Sequence, residues 1–173
     1  MKIRNLTKVS ICIAIICISS YIAFPLPFTP IMITAQTIAI NITALILKPK
    51  ESFLAVAVYI FLGIFGLPVF SGGTSGLGKL FGPTGGFIIG FLIVSPLISY
   101  LKGKNNNFKR YLTITILVGM IFLYAIGSIY MSMIQNIGII SALSLAVFPF
   151  IIGDFFKCFF SVIIAIKLNK VIE

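Results

Sequence analysis

Apolar residues occupy this chain in long blocks with few interruptions, and the blocks have the length of membrane helices rather than of strands. Six stand out, at 9–24, 31–47, 52–67, 85–101, 111–133 and 149–168. None has the polar–apolar alternation of a membrane barrel strand. Inside a bilayer a span must satisfy its own backbone hydrogen bonds, so helices are the remaining solution. A further apolar stretch, 134–148 around Gly138, reads as a short helix lying at one surface. The pattern predicts an all-α integral membrane protein, a bundle of six transmembrane helices spanning residues 1–173 as a single domain.

Composition narrows the class further. Of 173 residues, 60% are hydrophobic and 9% are charged, whereas a soluble domain carries about 25% charged residues. The net charge of +10 would ordinarily raise nucleic acid as a partner. Here the basic residues form short clusters between apolar blocks and no patch interleaved with aromatics, which suits topology instead. With the N-terminus inside, the inner segments hold Lys2, Arg4, Lys8, Lys48, Lys50, Lys102, Lys104, Lys109, Arg110, Lys167 and Lys170. Lys79 alone falls outside. The positive-inside rule therefore predicts both termini in the cytoplasm. The first block comes after basic residues as a signal peptide would. It lacks a small-x-small cleavage site and runs into Pro25, Pro27 and Pro30, so it reads as a mature span. Cys12, Cys17 and Cys158 lie inside apolar blocks without a C-x-x-C pair and read as buried free thiols.

Two outer connections are unusual. Three prolines in Phe24–Pro30 deny a helix and favour a stiff, extended turn. Residues 68–86 read PVFSGGTSGLGKLFGPTGG, and eight of the 15 glycines fall between Gly72 and Gly90. Flexibility is expected there. The run Gly73–Lys79 approaches the phosphate-loop pattern, but Leu80 stands where Ser or Thr would hold magnesium. A lid over a binding site, or a plain tight connection, fits these glycines better.

Chemistry has few residues to work with. Glu51 and Glu173 lie outside the apolar blocks, which leaves Asp154 as the intramembrane acid. Its ionised form costs about 2.5–3.5 kcal/mol at mid-membrane, so it should face the bundle interior with a partner. Lys157, three positions on, shares its helix face. The pair suits a polar ligand that offers both donors and an acceptor, such as a urea or amide; a structural ion pair between helices is the alternative. The chain has no His, no second membrane carboxylate and no cluster with metal-ligand spacing, so neither acid–base catalysis nor a metal site is expected. Thr34, Gln36, Thr37 and Asn41 lie in or near the second block. Gln36 should look inward, towards either a neighbouring helix or a ligand. The sequons at Asn5 and Asn41 read as chance matches. Ser10 and Ala14 form a small-x-x-x-small pair that allows close helix approach, within the chain or to a partner.

The segments FTPIMITAQT at 28–37, GLPVFSGGTSGLGKLFGPTGGFIIGF at 66–91 and PFIIGDFFK at 149–157 resemble the BioY family. These are the biotin-binding S components of energy-coupling factor (ECF) transporters. The resemblance implies a multi-pass protein of the bacterial cytoplasmic membrane, with a vitamin pocket capped by the loops after helices one and three. It implies partners: the membrane coupling protein EcfT and cytoplasmic ABC-type ATPases. By motif, Asp154 would accept from the ureido N–H groups of biotin and Lys157 would donate to it. Gly72, Gly73 and Thr84 become candidate contacts in the closing segment, and Ser10 and Ala14 a docking face for EcfT. Biotin enters as transported ligand, with no cofactor expected. Lys79 and Phe87 stand where the family pattern suggests an apolar residue and Tyr. An S component for another vitamin or a biotin precursor, a small membrane enzyme and a scaffold protein are the competing readings.

Overall fold

The computed structural model describes residues 3–172; Lys2 and Glu173 lie outside the described residues. The chain is largely helical. Its elements are α1 (Ile3–Ser19), strands β1 (Ala23–Phe24) and β2 (Ile33–Thr34), α2 (Gln36–Ile46), α3 (Pro49–Ile64), α4 (Leu77–Leu80) and α5 (Gly85–Leu101). Next come α6 (Phe108–Ile116), a π-helical turn (Leu117–Phe122), α7 (Leu123–Gln135), α8 (Ile139–Ala146) and α9 (Ile151–Ile172). The apolar core joins α1, α2, α3, α5 and α9 through Ile16, Ile40, Leu45, Tyr59, Ile98 and Val162.

Several helices begin or end away from the expected positions. The second apolar block is helical only from Gln36, because Ile33–Thr34 pair antiparallel with Ala23–Phe24 in a short hairpin around the proline turn. An apolar, β-branched run after Pro30 is equally suited to a strand, and its partner lies outside the block. The third helix starts early: Pro49 occupies its first turn, and Glu51 Oε2 accepts from the Lys48 backbone N–H at 3.3 Å. Glu51 Oε1 also accepts from Asn5 at 2.7 Å, which ties this cap to α1. The block at 85–101 matches α5.

Among the described residues, one helical stretch is long and apolar enough by itself to cross a bilayer, Phe108–Gln135 with 28 residues. The pair α8 and α9, bent by 56°, is a second candidate if taken as one span. The other expected spans hold helices of 17 residues (α1), 11 (α2), 16 (α3) and 17 (α5), so only the second is shorter than its apolar block. A 17-residue helix such as α5 is about 25 Å long, against a hydrocarbon core of about 30 Å. The stretch 134–148 does hold a helix, α8, set off by left-handed Asn136 at the end of α7.

Basic residues collect at one end of the molecule. Arg4 donates to the Ile172 carbonyl, Arg110 to that of Leu101 and Asn169 to that of Leu45. Lys102 Nζ donates to the carbonyls of Ala44, Leu45 and Leu47 at 3.1, 2.8 and 2.6 Å. One ammonium thus satisfies the orphan carbonyls ending α2, where its charge also meets the negative end of the helix dipole. Burial pulls the Lys102 ammonium down from 10.5 to about 8, with Glu51 and Cys12 opposing the shift.

Two glycines at the end of the glycine-rich stretch, Gly86 and Gly90, serve close packing. A Cβ on Gly86 would fall 2.4 Å from Tyr130, and one on Gly90 would fall 2.7 Å from Leu123. From the other side, one on Gly127 would fall 2.3 Å from Phe87. These residues let α5 and α7 cross at close range, as small residues do between membrane helices.

Candidate functional site

At the end opposite the basic cluster, a cleft opens between the β2–α2 segment, α5, α7 and α9. It contains about 580 Å³ of empty space, its open mouth included. Phe87, Phe91 and Phe150 supply apolar walls; Thr34, Thr37, Ser71, Thr84, Tyr124, Asp154 and Lys157 supply polar groups.

Asp154 sits in the first turn of α9, where a carboxylate favours the positive end of the helix dipole. Its residue is 9% exposed, so an unpaired charge would be costly. Both oxygens are engaged: Oδ1 with Lys157 Nζ at 2.8 Å, and Oδ2 with the Tyr124 hydroxyl, which donates at 2.6 Å. The first is the expected i, i+3 contact and the only ion pair among the described residues. The second was not visible in the sequence, where Tyr124 is one polar-tipped aromatic inside an apolar block. The π turn directly before α7 inserts one extra residue per turn, which rotates α7 by about 100° relative to a continuous α-helix. Leu123 and Tyr124, the first residues of α7, both reach the cleft wall.

The arrangement retains capacity for a ligand. A carboxylate offers about four acceptor positions and an ammonium three donors, so after these contacts Asp154 can still accept and Lys157 can still donate. Thr37 Oγ1 adds an unpaired group: among the described residues it is the buried side-chain polar atom without a hydrogen-bond partner. Leaving such a group unsatisfied costs about 1–3 kcal/mol, and a ligand in the cleft would supply a partner.

The other expected site residues divide. Thr84 lines the cleft, and its side chain makes no bond capping α5. Gln36 is placed behind the wall: its amide donates to Tyr59 Oη at 2.9 Å and to the Val69 carbonyl at 3.1 Å, and accepts from Ser71 Oγ at 3.0 Å. It therefore positions the glycine segment. Gly72 and Gly73 are not on the cleft wall. Both have positive φ, 75° and 69°, and form the turn that lets the Gly72 N–H reach the Ser20 carbonyl at 3.0 Å. Asn41 is also away from the cleft and donates to Cys158 Sγ at 3.8 Å. Ser10 and Ala14 are exposed on α1. Among the described residues, the Ser10 hydroxyl bonds back to the Leu6 carbonyl, at 3.1 Å.

Comparison with solved structures places this architecture in a defined class. A 2.1 Å crystal structure of the S-component for biotin from an ECF-type ABC transporter superposes with a TM-score of 0.91. The two chains are 32% identical, over 98% of this chain and 92% of that one. The fold is that of a membrane-embedded S component. The chain belongs to the BioY family, whose profile matches residues 1–173. The biotin transporter BioY2 of Lactococcus lactis is 34% identical over 172 residues, covering 99% of this chain and 93% of the relative. The biotin transporter BioY of Thermotoga maritima is 34% identical over 167 residues, covering 96% of each.

Proposed function

We propose that this chain is the biotin-binding S component of an ECF transporter in a bacterial cytoplasmic membrane. It is a transport protein and carries out no catalysis. The observation that carries the ligand assignment is the Asp154 carboxylate, held by Lys157 and Tyr124 at the base of an aromatic-walled cleft. A cyclic urea presents two N–H donors and one carbonyl on a rigid edge. Asp154 accepts from the N–H groups and Lys157 donates to the oxygen, while Thr37 and Thr84 border the remainder of the ligand. The phenylalanine walls take the apolar part of the ring system and chain.

The helical pieces group into six membrane passes: α1, the β2–α2 segment, α3, α5, the α6–α7 rod and α9. Their basic ends face the cytoplasm, which puts both termini inside and the cleft outside. As in an ECF-type ABC transporter, energy is supplied by a coupling protein of the EcfT kind and ABC-type ATPases. The exposed Ser10–Ala14 face of α1 is the surface offered to the coupling protein. Ligand binding is tested by titration calorimetry of the detergent-purified chain with biotin, desthiobiotin and thiamine. Near-stoichiometric heat with biotin and none with thiamine is the expected result; folded, ligand-free protein that gives no heat with biotin overturns the assignment.

A further inference from the structure

At the end remote from Asp154, two concavities meet. One is an apolar groove of about 1060 Å³, open solvent at its mouth included, between α1, α2 and the last turns of α9, walled by Ile11, Ile15, Ile42, Ile46 and Leu168. The other is a pocket of about 760 Å³, its open mouth again included, bordered by Lys8, Lys48, Lys102 and Lys104. Lys8, Ile46 and Ile172 belong to both, so the groove opens directly onto the lysines.

Among the described residues, no acid neutralises the charge there. Lys102 spends three hydrogen bonds on the α2 carbonyls, so it contributes charge but no free donor. Lys8, Lys48 and Lys104 form no ion pair among the described residues. Glu51, in the first turn of α3 after Lys48, already accepts from Asn5 and from the Lys48 backbone. Lys8 is half-buried, while Lys48 and Lys104 are exposed at the mouth. An occupant that satisfies both concavities has an anionic head with several acceptor oxygens and a long apolar tail. A purely apolar helix laid in the groove would leave the lysines unmatched.

We propose that this groove and pocket bind an anionic glycerophospholipid, its phosphate among Lys8, Lys48 and Lys104 and one acyl chain along α1 and α9. The site is about 22 Å along α9 from Asp154, judged from Asn169 in the pocket wall, so it is separate from the vitamin cleft. Such a site requires residence in a membrane and does not depend on which vitamin is carried. Basic pockets on the cytoplasmic side of membrane helices recognise lipid head groups by this combination of charge and hydrogen bonding.

The test is thermal unfolding of the detergent-purified full chain, titrated with phosphatidylglycerol, with phosphatidylcholine of the same acyl chains, and with inorganic phosphate. Phosphatidylglycerol is expected to raise the melting temperature saturably, the other two far less. Lys8→Gln, Lys48→Gln and Lys104→Gln should each weaken phosphatidylglycerol about fivefold, and Ile15→Trp should weaken it by filling the groove with every charge kept. All four variants should bind biotin like the parent, which separates the lipid site from the vitamin site. Equal shifts with both lipids, or with free phosphate alone, overturn the proposal. So does unchanged phosphatidylglycerol binding in lysine variants that lose co-purifying partner subunits, since the groove would then be a protein interface.

Discussion

The phenol of Tyr124 reaches Oδ2 of Asp154 at 2.6 Å across the space between α7 and α9. Together with Lys157 on Oδ1, it fixes the carboxylate in both position and rotation before any ligand arrives. A preorganised acceptor saves the ligand the cost of ordering it, which is where much binding affinity is otherwise lost. Tyr124→Phe removes one hydrogen bond to a charged group, worth about 1.5–3 kcal/mol. Calorimetry should then record biotin binding weakened by about tenfold or more, from a protein that remains folded.

Replacing the ion-pair residues themselves distinguishes ligand site from structural tie. Asp154→Asn keeps the shape but loses an acceptor and the charge, and Lys157→Ala removes the donor. Both should lose biotin binding by about 100-fold or more, since each removes a charge-assisted contact. Normal binding by both variants would show that the pair only holds helices together.

Lys102 predicts a pH effect with a definite sign. Its folded-state value, about 8, lies below the ordinary 10.5. Between those values the unfolded chain holds a proton that the folded protein has released, so stability from this group rises with pH across about 8 to 10.5. Below pH 8 the penalty of burying the ammonium is fully present. Lys102→Met should erase that pH-dependent rise relative to the parent in detergent melting curves. It should also lower stability at pH 7 by about 1–3 kcal/mol, because the Ala44 carbonyl loses its Lys102 donor while those of Leu45 and Leu47 keep Asn169 and Ser99.

Two glycines make a matched pair for a packing test. A Cβ on Gly85 would fall 1.7 Å from the Leu80 carbonyl oxygen, which is backbone and cannot step aside. Gly85→Ala should therefore destabilise by about 1–3 kcal/mol. Gly153, inside α9 next to Asp154, has nothing within 4 Å of a new Cβ. Gly153→Ala should raise the melting temperature, by about 0.5–1 kcal/mol of added helix preference.

The residues legible in the sequence and those hidden in it differ for physical reasons. Asp154 and Lys157 were legible because their contact is local to one helix and buried charge is rare enough to be conspicuous. The bounds of α5 were legible because the glycine segment and the basic loop after it interrupt the apolar run on both sides. Tyr124 was hidden because its partner is 30 residues away, and the π turn before it lies in an unbroken apolar stretch. The strand at Ile33–Thr34 was hidden for the same reason, its pairing partner being Ala23–Phe24. Gly86 and Gly90 were misread because a glycine that permits motion and a glycine that permits contact look identical until the opposing residue is known. Gln36 was recognised as inward-facing, but only coordinates could separate a ligand contact from a bond to the loop.

That bond has a mechanical consequence. Through one amide, Gln36 is clamped to α3 at Tyr59 and to the glycine segment at both Val69 and Ser71, while Phe70 is wedged between them against Tyr59. The segment above the cleft is thus latched to the root of α2. Any displacement of this segment must either break the three bonds together or carry the first turn of α2 with it.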